Sequence, residues 1–255
     1  MMTDALARLD AAAARHNLLN HSFYRRWISG ELKRSELAAY AAQYEHVVRG
    51  LPRWLEAAAV GSAHAAQLTI HAHEESGHVA LWREFVEALS PAAERKLDAP
   101  NQATKEFLDE CEVLAAAGHG VAVAWALEAQ SPEVSRAKLD GLIRHYGIDT
   151  GNGAAYFSLH AERDLDHRAE LAAMIAVEGD GVIASEAAER VLTLVWDILS
   201  SVESRAAAWA IHERGRCTCP GARNSAKKIP SGGAAGACPT PYVGVQPRAP
   251  RPAEP

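Results

Sequence analysis

The segment FSLHAERDLDHRAEL places three side chains of the kind that bind metals at helical spacing. His160, Asp164 and His167 are separated by four and three residues, so in a helix they project from one face. Phe157 and Leu171 extend that face at its two ends, which indicates that it points into the protein. Unpaired polar groups on a buried face cost free energy, and a transition metal bound by imidazole and carboxylate would satisfy them. The alternative is a solvated stripe that happens to carry these residues.

Two further segments carry candidate ligands. In HAHEESGHVALW, Glu74 and His78 lie one helical turn apart, and spacing alone does not exclude Glu75 in place of Glu74. In GVAVAWALEAQ, Glu128 is the one ionisable side chain, and such a carboxylate is either partnered or has a raised pKa. Facing helices that project Glu and Glu/His pairs into a bundle core are typical of carboxylate di-metal proteins. The predicted metal ligands are therefore Glu74, His78, Glu128, His160, Asp164 and His167.

The neighbouring histidines are predicted to lie on the surface. His71 stands seven residues before His78 on the same helical face, so an outer partner of the metal site is the alternative for it. We assign no function to His73, His64 or His145.

The composition favours an all-α protein. The chain is 255 residues long, 48% hydrophobic and only 6% aromatic, and runs such as DAAAARHN are rich in alanine, the strongest helix former. No stretch of alternating β-branched residues predicts a strand.

The net charge of −6 argues against nucleic-acid binding. We find no 18-residue apolar run and no signal peptide, so we expect no membrane span and a cytoplasmic location. Only Cys111 lies in the helical part, so disulfides are not part of the fold.

Turn and capping residues divide the chain into one helical domain, 1–214, and a tail, 215–255. Gly30 and Gly147 are predicted to end helices, Ser35 to cap one, and Pro52 to kink or restart it. The predicted helices cover about 4–16, 21–28, 35–60, 63–76, 78–89, 103–117, 120–130, 133–146, 153–177 and 182–213.

The tail is rich in proline and glycine and poor in large apolar residues, so we expect it to be disordered. Cys217, Cys219 and Cys238 form a weak pattern for metal binding or redox sensing, and an unstructured extension is the default interpretation.

The chain resembles the CADD-like proteins (Chlamydia protein associating with death domains) within the haem-oxygenase-like, TenA- and PqqC-like di-metal oxidases. The resemblance covers roughly residues 18–205 and rests on NHSFYRRWISGEL, EESGHVALWREFVEAL, LEAQSPEVSRAKLDGLIRHYGI and AAYFSLHAERDLDHRAE. It implies a haem-oxygenase-like helical bundle and places the six predicted ligands where the family has its own. The spacing before His78 is about three residues shorter than in the family, which leaves Glu74 or Glu75 open.

The resemblance also implies an activity, namely formation of p-aminobenzoate for folate by oxidative cleavage of one of the protein's own tyrosines. Tyr24 matches the sacrificed tyrosine, Tyr40 a second tyrosine near the metals, and Lys138 the lysine that donates the amino group. Two iron ions, or iron and manganese, would be the cofactors, with O₂ and an external reductant as co-substrates. Leu127 departs from the family, which has a tyrosine there. On the residues alone, Tyr24 is a core tyrosine and Lys138 an exposed helix lysine.

The sequence also allows other functions. The same di-metal site could oxidise an external amino acid or fatty acid through many turnovers, or the bundle could be a non-enzymatic interaction protein. The six-ligand set argues against a metal-free oxidase, and a thiaminase would need a pocket cysteine where only Cys111 is available. The oligomeric state is open, with a homodimer among the options.

Overall fold

The computed structural model describes residues 2–89, 98–178 and 181–216 of the chain. All regular secondary structure in these ranges is helical, which confirms the predicted all-α class. The helices are α1 (Met2–Arg15), α2 (Ser22–Ser29), α3 (Arg34–Ala59), α4 (Ala65–Leu89), α5 (Gln102–Leu114), α6 (Gly120–Glu128), α7 (Ser131–Gly141), α8 (Ala155–Glu178) and α9 (Gly181–Arg216). Short π-helical turns follow α5 at Ala115–His119 and α7 at Leu142–Tyr146.

The predicted restart of the helix at Pro52 and the predicted break at Gly77 are absent from these helices. Helix α3 runs through Pro52, and α4 is continuous across Gly77, where a break between two helices was predicted. A proline in a helix loses one hydrogen bond and a glycine costs about 1 kcal/mol, which are local penalties. Helices α3 and α4 pack against each other, and burial along that contact outweighs both penalties.

The helix ends are formed by glycines in a left-handed conformation and by a capping hydrogen bond. Gly30 and Gly147 end helices with φ of 75° and 65°, left-handed conformations that glycine adopts without strain, as predicted. The predicted cap at Ser35 is wrong, because α3 begins at Arg34 and its N-cap residue is Lys33. There the Glu36 carboxylate accepts a hydrogen bond from the Lys33 backbone N–H at 2.9 Å.

Helix α6 is the centre of the bundle and packs against α3, α8 and α9. Gly120 allows the close approach to α3, because a Cβ built there would lie 2.8 Å from the Trp54 carbonyl oxygen. Large aromatic side chains fill the space around these helices. Among the tryptophans whose burial is described, four are fully buried: Trp27, Trp54, Trp82 and Trp125. Helices α4, α6 and α8, which carry the predicted ligands, are thereby brought around one interior space.

One stretch, Gln102–Tyr146, contains an 18-residue window that by length and composition alone is apolar enough to cross a membrane, whereas we expected no such apolar run. In the fold this stretch is α5, α6 and α7, and Gly118 interrupts it with a left-handed φ of 88°. Many of its apolar side chains, Val123 and Trp125 among them, are buried against the other helices, whereas Val113 and Ile143 are exposed. The stretch therefore forms part of the core of the bundle.

Helix α9 ends at Arg216, so the predicted tail lies outside the described residues except for its first two positions. The predictions for Cys217, Cys219 and Cys238 also fall outside them.

Candidate metal centre and tyrosine–lysine cluster

Three helices bring a set of buried imidazoles and carboxylates together. Helix α4 supplies His71, Glu75 and His78, whose spacing of four and three residues puts them on one face. Helix α6 supplies Glu128 at its last residue. Helix α8 supplies the three ligands predicted from their spacing, and all of them are buried: His160, Asp164 and His167. We refer to these seven residues as the metal cluster.

The ligand atoms fall into two groups that share Glu75. One group is Glu75, His78 and His160, and the other is Glu75 with His71, Glu128 and His167. Glu75 Oε1 lies 3.0 Å from His78 Nδ1, and its Oε2 lies 3.8 Å from His160 Nε2. Side chains that share one metal at about 2.1 Å lie roughly 3–4 Å apart, so these separations fit coordination. Two histidines and a carboxylate form the ligand set of many non-haem iron oxygenases.

The second group is equally compact. His71 Nε2 lies 2.8 Å from Glu128 Oε1, and His167 Nδ1 lies 3.6 Å from Glu128 Oε2. The carboxylate of Glu75 is 4.0 Å from His71 Nε2 and faces both groups, which suits a bridge between two ions.

Unsatisfied polar atoms test whether metal ions fit this cluster. Among the described residues, eight buried side-chain nitrogen and oxygen atoms lack a hydrogen-bond partner, and all eight belong to the metal cluster. Both oxygens of Asp164 are among them, and its side chain is fully buried. Buried polar groups are normally paired, because leaving one unpaired costs about 1–3 kcal/mol. Metal ions would supply the missing partners, so the side chains of this cluster are suited to bind metal ions.

Two histidines of the cluster have their outer nitrogen held, so that the other nitrogen faces the carboxylates. His160 Nδ1 donates to the Tyr156 carbonyl at 2.8 Å, which leaves Nε2 toward Glu75. His167 Nε2 donates to Glu74 Oε2 at 3.1 Å, which leaves Nδ1 toward Glu128. Such outer hydrogen bonds fix the tautomer and orientation of metal-binding histidines.

The structure places Glu74 outside the cluster that Glu75 occupies. The Glu74 side chain is 31% exposed and accepts hydrogen bonds from Arg163 at 2.8 and 3.1 Å as well as from His167. Adjacent residues on a helix differ by about 100° in direction, so only one of the two can face the cluster. The spacing to His78 left this choice open, and the packing of α4 against α8 decides it.

The prediction that His71 lies on the surface is wrong, because only 6% of the residue is exposed and its ring contacts His167 at 3.7 Å between centroids. His73 is exposed, as expected. The signal for His71 was its seven-residue spacing from His78, which repeats the helical face that carries Glu75.

The protonation of the cluster without metal reflects its burial. The pKa of Glu128 is raised well above its usual value. Burial has the largest effect, and the negative charges of Glu75 and Asp164 add to it. Burial also opposes ionisation of Glu75, but the adjacent imidazoles of His160 and His78 lower its pKa below the usual range. Burial and the neighbouring His167 lower the pKa of His71 to about 4. Neutral histidine and ionised carboxylate are the forms that bind metals.

A second group of buried side chains contains the three residues predicted to be catalytic. Ring contacts from Tyr40 to Trp82, from Trp82 to Tyr156 and from Tyr156 to His160 connect this group to the metal cluster. Tyr24 from α2, Tyr40 from α3 and Lys138 from α7 are 2%, 0% and 6% exposed. Lys138 Nζ donates to the Tyr40 hydroxyl at 2.9 Å and lies 4.5 Å from the centre of the Tyr24 ring. The Tyr24 and Tyr40 hydroxyls are 3.2 Å apart. Lys138 is thus not the exposed lysine that its sequence position alone suggested.

Burial lowers the pKa of Lys138 to about 7, so a large share of its amine is uncharged at neutral pH. Burial also raises the pKa values of Tyr24 and Tyr40 well above 10, so both phenols keep their protons.

Sequence reasoning missed two tyrosines next to these residues. The Tyr44 ring stacks on Tyr40, with 5.3 Å between centroids. The Tyr156 ring stacks on His160 at 3.9 Å. Their helical spacing of four residues from Tyr40 and from His160 was the signal available in the sequence.

Residues 38–199, more than half of the chain, match the family model described as iron-containing redox enzyme. The chain belongs to this family. Relatives with similar sequences carry the name 4-aminobenzoate synthase. The relative from Chlamydia muridarum is 34% identical over 77% of this chain and 89% of its own length. The relative from Chlamydia trachomatis is 32% identical over 77% and 90%. The relative from Nitrosomonas europaea is 28% identical over 63% and 73%.

Solved structures agree on the fold. A TenA homologue from Pseudomonas syringae superimposes with a TM-score of 0.68 at 13% identity, covering 79% of this chain and 92% of the homologue. Haem oxygenase-1 from the cyanobacterium Synechocystis, in complex with haem, superimposes with a TM-score of 0.61 at 12% identity, covering 84% and 99%. The haem-oxygenase-like bundle predicted for this chain is therefore confirmed, and its family makes it an iron-containing redox enzyme.

Proposed function

We propose that this protein is an O₂-activating di-metal oxygenase that forms p-aminobenzoate from its own Tyr24. The single observation that carries the proposal is the contact of a buried lysine amine, whose pKa burial lowers to about 7, with a buried tyrosine ring. The relatives named 4-aminobenzoate synthase support the product.

Each group in this arrangement has a chemical use. Tyr24 would supply the aromatic ring and its Cβ, and Lys138 would supply the amine nitrogen, which lies 4.5 Å from the ring centre. As the new ring C–N bond forms, the phenol C–O bond and the Lys138 Cε–Nζ bond would break, with the phenol oxygen leaving as water. The Cα–Cβ bond of Tyr24 would also break, and Cβ would be oxidised to the carboxyl group at the expense of O₂. Tyr40 contacts both through its hydroxyl, so it orients the amine and the phenol relative to each other. Two bound metal ions, with O₂ and electrons from an external reductant, would supply the oxidant that removal of a tyrosine side chain requires.

The residues that would bind those ions are those of the metal cluster: His71, Glu75, His78, Glu128, His160, Asp164 and His167. Glu75 supports two ions rather than one, because it belongs to both groups of ligand atoms. Near-complete burial of the tyrosines and the lysine keeps water away from the reacting groups, which protects reactive species from side reactions.

The test uses the full chain, loaded anaerobically with ferrous iron, or with ferrous iron and manganese, and then exposed to O₂ and a reductant. We expect about two metal ions per chain, release of p-aminobenzoate, and loss from the intact protein of the p-hydroxybenzyl mass together with the amine nitrogen of Lys138. Peptide mapping should place the loss at Tyr24, and Tyr24→Phe should abolish it.

Tyr146→Phe is the matched control, since Tyr146 is also a buried tyrosine but its hydroxyl donates to the Leu32 carbonyl. It should leave product formation unchanged. Two bound metals with no change in protein mass would reject self-sacrifice and favour an external substrate, and a chain that binds no metal would reject the whole proposal.

A further inference from the structure

Tyr24 and Lys138, the two residues that would react, each stand one helical turn before a residue at the contact between α2 and α7. On α2, Trp27 follows Tyr24 by three residues, and on α7, Gly141 follows Lys138 by three. Residues three apart lie on the same face of a helix. All four residues are buried, so this contact between two helices lies directly beside the reacting pair.

Trp27 and Gly141 pack closely against each other. A Cβ built on Gly141 would lie 2.9 Å from Trp27 Cδ1 and 3.2 Å from the Trp27 carbonyl oxygen, closer than carbon atoms normally approach. Gly141 has an ordinary helical φ of −63°, so the position requires the small size of glycine and not its backbone freedom. Gly141 therefore leaves the space that Trp27 occupies.

Trp27 also contacts the residue that carries the amine. Its indole Nε1–H donates to the Lys138 carbonyl oxygen at 3.3 Å, and its ring centre lies 5.6 Å from Lys138 Nζ. The same ring lies 6.3 Å from the Tyr24 ring, measured between centres. Trp27 thus contacts both reacting side chains and the backbone of one of them.

Aromatic rings surround the Lys138 amine. Five ring centres lie 4.5–5.6 Å from Nζ, namely those of Tyr24, Trp27, Tyr40, Tyr44 and Phe157. An amine at these distances from ring faces is attracted to them when it carries its proton. The place of the amine is therefore set by where these rings stand, and Trp27 connects them to the backbone of α7.

We propose that Trp27, packed on Gly141, is a positioning residue that sets the separation between the Lys138 amine and the Tyr24 ring. This inference rests on the proposed function, in which that ring receives the amine nitrogen. Trp27 exchanges no atom or electron in the reaction and acts through the groups that it contacts. A displacement of about 1 Å can lower the rate of a reaction about 100-fold, so a change at this contact should have a large effect.

Two substitutions change this contact in different ways. Gly141→Ala adds a methyl group where it meets Trp27, and it leaves α7 itself intact because alanine favours a helix more than glycine does. Trp27→Phe keeps an aromatic ring and removes the hydrogen bond to the Lys138 carbonyl. The matched controls are Gly77→Ala, at an exposed helical glycine with open space around it, and Trp54→Phe, at a buried tryptophan whose indole N–H donates to a carboxylate on α5.

The first measurement follows the amine in the metal-free protein. The chain has six lysines, so the NMR signals of ¹³C-labelled lysine side chains are few, and comparison with Lys138→Met identifies the signal of Lys138. The surrounding rings should shift this signal away from those of exposed lysines. We expect Gly141→Ala, which replaces no ring, to move the signal, and both controls to leave it in place.

The second measurement is the p-aminobenzoate released per chain after loading with ferrous iron, or with ferrous iron and manganese, and mixing with O₂ and reductant. Elemental analysis should find the same metal content in all the proteins compared. We expect Gly141→Ala and Trp27→Phe to release at least about ten-fold less product than wild type and the two controls.

The outcomes separate the positioning role from the proposed function. A wild-type yield from both variants, an unmoved Lys138 signal in Gly141→Ala, or an equal loss of product in Trp54→Phe overturns the positioning role and leaves the proposed function standing. If Gly141→Ala does not fold, the yield of Trp27→Phe against that of Trp54→Phe decides. If wild type itself releases no p-aminobenzoate, the proposed function fails, whereas a Lys138 signal that moves in Gly141→Ala still supports control of the amine by this contact.

Discussion

Replacement of Glu74 or Glu75 by glutamine separates a carboxylate that would bind metal from one that holds a ligand in place. The two residues are adjacent, and each substitution is nearly isosteric. Glu75 belongs to both groups of ligand atoms, whereas Glu74 contacts Arg163 and the outer nitrogen of His167. We expect Glu75→Gln to prevent stable binding of two metals and Glu74→Gln only to weaken it.

The size of the Glu74 effect follows from its hydrogen bond to His167. A hydrogen bond to a charged group contributes about 1.5–3 kcal/mol, and the 31% exposure of the Glu74 side chain places this one near the lower end. About 1.5 kcal/mol corresponds to roughly a ten-fold loss of metal affinity. Loss of an outer hydrogen bond to a metal ligand typically costs about 10–100-fold, which agrees.

Anaerobic titration of ferrous iron against a competing chelator measures these affinities, and elemental analysis after gel filtration counts the bound ions. Glu162→Gln is the control, because Glu162 is exposed on the same turn of α8 as Arg163. If Glu74→Gln abolished metal binding while Glu75→Gln still held two ions with wild-type affinity, the placement of Glu75 as the shared carboxylate would be refuted.

Two further predictions concern protonation in the metal-free protein. Because the pKa of Glu128 is raised in the folded state, the folded protein keeps a proton that the unfolded chain loses near pH 4.5, and stability falls as pH rises above that value. Glu128→Gln should therefore raise the melting temperature of the metal-free protein at pH 7 while weakening metal binding; a lower melting temperature would contradict this account. Because the pKa of Lys138 is lowered from 10.5 to about 7, the unfolded chain binds more protons between those values, and stability should rise with pH across that window by at most about 1.4 kcal/mol per pH unit. Lys138→Met should flatten this part of the profile in chemical denaturation at pH 7 and pH 9.5, and an unchanged slope would show that Lys138 is not its source.

The parts of this protein that could be predicted from sequence depend on short-range regularities. The spacing of His160, Asp164 and His167 required a single helix, and α8 supplies it. Gly30 and Gly147 were predicted to end helices because a left-handed residue suits glycine best. Glu128 was singled out because a lone carboxylate among apolar residues needs a partner, and its neighbours are the imidazoles of His71 and His167.

Other features depended on how whole helices pack. The continuity of α3 through Pro52 could not be predicted, because the burial that offsets the local penalty comes from α4. The rotation of α4 about its axis turns Glu75 and His71 inward and Glu74 toward Arg163. Lys138 has no unusual neighbours in sequence, and its burial arises from side chains on α2 and α3.

Sequence alone determined which residue types recur on which helical face, because the helical repeat is a local property of the backbone. That was enough to predict an all-α chain with imidazoles and carboxylates pointing inward from three helices. The choice among adjacent residues, and the contact of Lys138 with Tyr24 and Tyr40, came only from tertiary structure. The physical reason is that a helix can rotate and slide against its neighbours without changing its own hydrogen bonds, so only the packing of the complete bundle selects one arrangement.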